Sequence, residues 1–84
     1  MSKLEIYVMK DDVIGEFMNP YLQHNESQAV RTLREVVNAP IQNEINKNPE
    51  DMKLYRLGTF DTKTGEITND IKFIKNAIDV KQGE

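Results

Sequence analysis

The chain has 84 residues, which bounds it to one domain at most, and its composition, 38% hydrophobic and 30% charged, suits a folded domain better than a disordered chain. Cysteine is absent and His24 is the one histidine, so disulfides, thiolate metal sites, Cys nucleophiles and a multi-His centre are excluded. The net charge of −3 weighs against a nucleic-acid partner, although residues 1–51 sum to −4 and residues 52–84 to +1.

Leu4, Ile6 and Val8 alternate with Glu5 and Tyr7, a period of two that predicts a half-buried strand. Lys10-Asp11-Asp12 supplies a turn, Val13 to Met18 a return strand, and Pro20 a stop, because proline cannot donate to a ladder. A helix is predicted from Glu26 to Val37. Asn25 and Gln28 have the spacing of a capping box, and Ala29, Val30, Leu33, Val36 and Val37 form one apolar stripe ended by Asn38 and Pro40. Ile41 and Ile45 are four apart, consistent with a helical turn or two, and Asn48 to Asp51 reads as a turn.

Met52 to Phe60 is a predicted third strand, with Gly58 marking a bulge or a close backbone approach. Asp61 to Gly65 is a hairpin loop with glycine placed for positive φ, leading to a short strand near Ile67. Ile71, Phe73, Ile74 and Ile78 fit a C-terminal amphipathic helix or a mobile arm. The expected fold is therefore α+β: a small antiparallel β-sheet in the order β-β-α-β-β, packed on one central α-helix. Residues 1–70 form the domain, and 71–84 the helix or tail.

Catalytic chemistry finds little support. The Asp61–Gly65 loop has Lys63 at the third position and Lys72 at the twelfth, where calcium needs oxygen ligands. Asp11-Asp12 and Glu50-Asp51 sit in turns where acids are ordinary, and His24 lies in a polar stretch before the helix. Neither a Gly-rich phosphate loop nor a Ser nucleophile elbow is present. The expectation is no enzyme, no cofactor and no metal.

Binding chemistry is better supplied. Arg31 and Arg34 lie on the helix, Lys53 and Arg56 on the third strand, Lys63 at the hairpin tip, and Lys72, Lys75 and Lys81 in the tail. Tyr7 and Tyr55 are the candidates for stacking on unpaired bases, with Tyr55 preferred. Arg56 and Lys63 are expected to take phosphates. Bland readings compete with each: Arg31 and Glu35 are spaced for a surface pair, and strand tyrosines are commonly core residues. Apolar residues on both parities of the third strand predict a second covered face, hence a homodimer.

One stretch carries more than chemistry. Asn38-Ala-Pro40 is followed by Pro49-Glu50-Asp51, then Leu54-Tyr55-Arg56-Leu57-Gly58-Thr59-Phe60-Asp61, then Thr64-Gly65. With the opening strand and Phe17-Met-Asn-Pro20-Tyr21, this resembles the small nonstructural protein of gokushovirus-type microviruses, phages with single-stranded DNA genomes. The resemblance covers about residues 4–67, and the tail after Thr68 has no counterpart. It implies a non-enzymatic DNA-binding protein, most simply of single-stranded DNA, assisting viral DNA replication or packaging in the cytoplasm of the bacterial host. Met52 stands where the family tends to an aromatic residue, which would weaken stacking there. The alternative is an adaptor that engages the viral replication initiator or procapsid without touching DNA. No membrane partner is expected, since no apolar run approaches the roughly 18 residues of a span and no signal peptide opens the chain.

Overall fold

The structure, a computed structural model, describes residues 2–82. Strand β1, Lys3–Asp11, lies inside the sheet and is flanked on one edge by two short strands, β2 (Glu16–Phe17) and β3 (Tyr21–Gln23). On its other edge it pairs with β4, Met52–Asp61, which pairs in turn with β5, Ile67–Asn76. All pairings are antiparallel, giving a five-stranded sheet with one helix, α1 (Glu26–Val37). The fold is α+β as expected, but the order is β-β-β-α-β-β.

Two hairpin turns share one local chemistry. Asp11 accepts the Val13 N–H on its side chain at 2.9 Å and the Gly15 N–H on its carbonyl at 2.8 Å. Asp61 does the same with Lys63 and Gly65, at 2.8 Å each. In both, an Asp side chain replaces a missing backbone partner, and a glycine at φ +74° or +79° turns the chain back.

The helix begins where the Asn25 side chain accepts the Gln28 N–H at 2.8 Å, while the Gln28 side chain accepts the His24 N–H at 3.0 Å. The first bond satisfies a donor that the helix start leaves orphaned, and the second ties the residue before the cap to the first turn. At the other end the Asn38 amide donates to the Arg34 and Val80 carbonyls, at 2.8 and 3.0 Å. Asn43 and Asn46 side chains donate to the Val36 carbonyl and so hold residues 41–48 as turns, with Ile45 buried and Ile41 exposed.

The helix stripe of Ala29, Leu33 and Val37 packs on Tyr7, Met9, Met52 and Leu54 from one face of the sheet. Each large apolar group removed from water there stabilises by about 1.5–3 kcal/mol. Ala77 and Val80, in a 3-10 turn after β5, complete this core.

Three expectations are corrected. The return strand expected over Val13–Met18 is only Glu16–Phe17, because residues 12–15 are spent on the turn. An extra strand, β3, forms after Pro20 by pairing Tyr21–Gln23 with Glu5–Tyr7. Residues 71–76 are not a helix or arm but the second half of β5, and Ala77–Val80 is anchored in the core. Hydrogen bonding to β4, a nonlocal partner, outweighs the helical spacing of Ile71, Ile74 and Ile78. Residues 83 and 84, the end of the expected tail, lie outside the described residues.

Candidate nucleic-acid interface

Side chains alternate across a strand, so the residues between those facing the helix must point to the opposite side of the sheet. Register assigns Val8, Tyr55 and Phe73 to that side as consecutive cross-strand partners, and Lys10 opposite Phe17. No described helix covers this face. The aromatic rings form a row: Phe17 and Tyr55 meet edge-to-face at 5.5 Å between centroids, Tyr55 and Phe73 at 5.7 Å. Val8 lies beneath them, 1% exposed, while Phe17 and Phe73 remain nearly half exposed.

Cations border the row. The Lys10 ammonium lies 5.4 Å from the Phe17 centroid, within range of a cation–π attraction. Lys53 pairs with Lys10 across β1 and β4, which places two like charges side by side. Asp12 relieves that repulsion from the adjoining turn by bonding Lys53 and lying 3.9 Å from Lys10. The Lys53 ammonium beside Asp12 holds its carboxyl below the usual range, and Asp12 in return raises Lys53. Lys53 is therefore held in its cationic form by Asp12, which acts as its counterion.

The structure brings together Tyr55 and Lys53 but separates the other expected residues from them. Arg56 faces the helix side, where its guanidinium lies 2.8 Å from Asp70 and 3.8 Å from Glu5. It does not join Tyr55, because adjacent strand residues take opposite faces. Lys63 is exposed at the β4–β5 turn. Arg31 and Arg34 are exposed on the outer side of α1, with Arg31 3.7 Å from Glu35. Tyr7 is buried on the helix side and donates to Glu5 at 2.5 Å; burial first, and that bond second, push its hydroxyl far above the usual range. It offers no stacking surface. Met52 is likewise a core residue, so a ring at that position would not reach the open face.

Phe17, Phe73 and Lys10 escaped the sequence reading. Their grouping depends on register, and the available signal was the Asp11–Gly15 turn, whose geometry places Phe17 opposite Lys10. Farther along the same face, Ile6, Leu22, Phe60 and Ile67, with Pro20 and Tyr21, line an apolar cleft of about 250 Å³. Among the described residues, no group of three or more His, Cys, Asp or Glu side chains gathers to hold a metal, and no helix is long and apolar enough to cross a membrane.

The residues carrying the family resemblance take structural positions instead. Pro49 is buried at the first position of a 3-10 turn, Gly58 sits at a bulge, and Asp61 and Gly65 build the hairpin turn. A family model described as Phage ORF5 protein matches residues 4–80. Comparison with curated proteins and with solved structures gave no match.

Proposed function

The chain belongs to the Phage ORF5 protein family, and from that premise we propose that it is a non-enzymatic phage protein that binds single-stranded DNA. It would assist viral DNA replication or packaging in the cytoplasm of the bacterial host. The finer kinship, with the small nonstructural proteins of gokushovirus-type microviruses, is part of this proposal and rests on the Asn38–Gly65 motifs. The observation that carries the reading is the Phe17–Tyr55–Phe73 row bordered by Lys10 and Lys53. Unpaired bases stack on such rings in a sequence-tolerant way, and the lysines meet the phosphates.

The net charge of −3 is not decisive against this. The cross-strand positions that surround the rings carry Lys10 and Lys53, whereas Glu5 and Asp70 are engaged by Arg56 on the other side. Phosphates respond to the local field within about 10 Å at 0.1 M salt, so remote acids are largely screened, and Asp12 is the acid that a phosphate must displace from the two lysines.

Fluorescence anisotropy of a labelled oligonucleotide across a salt series tests the reading. Tyr55→Ala and Phe73→Ala should each cost about 1–3 kcal/mol of binding. Lys10→Ala and Lys53→Ala should each flatten the logarithmic salt slope by about 0.7. Undiminished binding in both aromatic variants would move the site elsewhere. Absent or salt-independent binding by the wild-type chain would instead favour an adaptor for the viral initiator or procapsid, for which the apolar Ile6–Phe60 cleft is the docking feature.

A further inference from the structure

Strand β5 ends the sheet: it pairs with β4, and no other described strand occupies its outer edge. Ten residues long, it leaves a row of backbone donors and acceptors open, and its residues Ile67–Phe73 are all exposed. Ile71 is 66% exposed and Phe73 45%. Edges of this length, without proline, are templates for another strand. We propose that the occupant is the β5 strand of a second copy of this chain, joined antiparallel about a two-fold axis at Ile71.

The charge sequence of β5 selects that register. A two-fold axis perpendicular to the sheet places one residue opposite its own copy, and residues at equal distances on either side face each other. Centring on Asp70 or on Lys72 sets like charges directly opposite, which is destabilising. Centring on Ile71, between them, sets Asp70 of each copy against Lys72 of the other, twice. Asn69 then meets Phe73, and the two exposed Ile71 side chains meet each other. Each Asp70 already touches Arg56 at 2.8 Å, so the arrangement extends an existing ion pair into a chain of alternating charges across the junction.

The same operation keeps the two uncovered faces on one side of the joined sheet. The aromatic rows, each ending at Phe73 on β5, then run toward each other across the axis. This provides the second copy expected from the third strand's apolar residues, but joined at the edge and not face to face. It leaves the rings free. The pairing stands independently of the DNA reading and is measured without DNA.

The chain has no cysteine, which makes a crosslinking test clean. Opposed Cβ atoms in antiparallel pairs lie about 4.5–5.5 Å apart, close to disulfide geometry. Under mild oxidation, Ile71→Cys should form a covalent dimer at least about tenfold faster than Ile41→Cys, an exposed position in the loop after α1 and outside β5. In a separate cysteine-free measurement by sedimentation, Lys72→Glu should weaken self-association about tenfold, since it opposes two carboxylates twice. Mixing it with Asp70→Lys should restore dimers, because both opposing pairs become complementary. Circular dichroism confirms that each variant is folded; should Asp70→Lys not fold, the crosslinking rates and Lys72→Glu alone decide. Equal crosslinking at positions 71 and 41, or a wild-type monomer at tens of micromolar, overturns the proposal. So does preferential crosslinking of Leu22→Cys, which would place the second copy on the open face.

Discussion

Gly58 has a backbone φ of +154°, and a Cβ built on it would lie 1.8 Å from the Thr68 carbonyl oxygen. The first fact is a conformation that L side chains rarely adopt, and the second a collision with backbone that cannot swing away. Between Ile6 and Tyr7 of β1 the ladder slips, so Leu57 is extra on β4, and Gly58 absorbs the slip. Gly58→Ala should therefore lower stability by about 1–3 kcal/mol, read as a lower urea midpoint with an unchanged slope. An unchanged midpoint would mean that β4 and β5 separate at no cost. A second residue-scale expectation concerns Asp12 and Lys53. Asp12 is lowered by its Lys53 bond, so that contribution is present above the unfolded carboxyl value and lost as pH falls through the lowered one. Lys53 is raised, so its contribution is present below the unfolded amine value and lost as pH rises through the raised one. Asp12→Asn should melt slightly below the wild type between about pH 4 and pH 10 and converge with it toward either extreme. A constant offset at acid pH would assign the effect to packing instead.

At the scale of elements, what the sequence disclosed depended on how local the deciding interactions are. The helix could be read to its terminal residues because Asn25, Gln28 and Asn38 act within a few positions of the ends they fix. Strand β4 was equally plain, and so was the special role of Gly58 within it. Strand β5 was not. Its isoleucines sit at helical spacings, and only the ladder to β4 makes Ile67–Asn76 a strand. The candidate site divided in the same way. Tyr55 could be found as a strand aromatic, but the register that adds Phe17 and Phe73 is a property of three strands together. Arg56 looked available because its partners, Glu5 and Asp70, are 51 and 14 residues away in the chain. The two Asp–Gly turns are the opposite case, since the Asp side-chain and carbonyl bonds that turn the chain back lie within five residues in each.

The whole molecule measures 44 × 25 × 18 Å, elongated for its length. A twelve-residue helix reaches about 18 Å and a ten-residue strand about 33 Å, so α1 covers only part of one face. The buried cluster accordingly draws on the Met52–Leu54 end of β4, and the Phe60–Ile67 end projects beyond it. A core this small needs every contributor, and the last described turn is one. Ala77 is fully buried, Val80 is 5% exposed, and the Val80 carbonyl accepts the Asn38 amide that closes the helix. A tail that merely followed the domain would be dispensable; this one is not. A chain ending at Asn76 loses the Val80 side chain, worth about 2–3 kcal/mol with its cavity, together with the partner of Asn38. Its melting temperature should fall by more than about 10 °C, given roughly 4–8 °C per kcal/mol in a domain of this size. A chain ending at Gln82 keeps the turn and the Gln82 N–H that donates to Asn38 at 2.8 Å, and should melt like the full chain. Equal melting of the chains ending at Asn76 and Gln82 would show that the core closes without the turn. A loss confined to the chain ending at Asn76 would place the folded unit's boundary between Asn76 and Gln82, in line with the family match to residue 80.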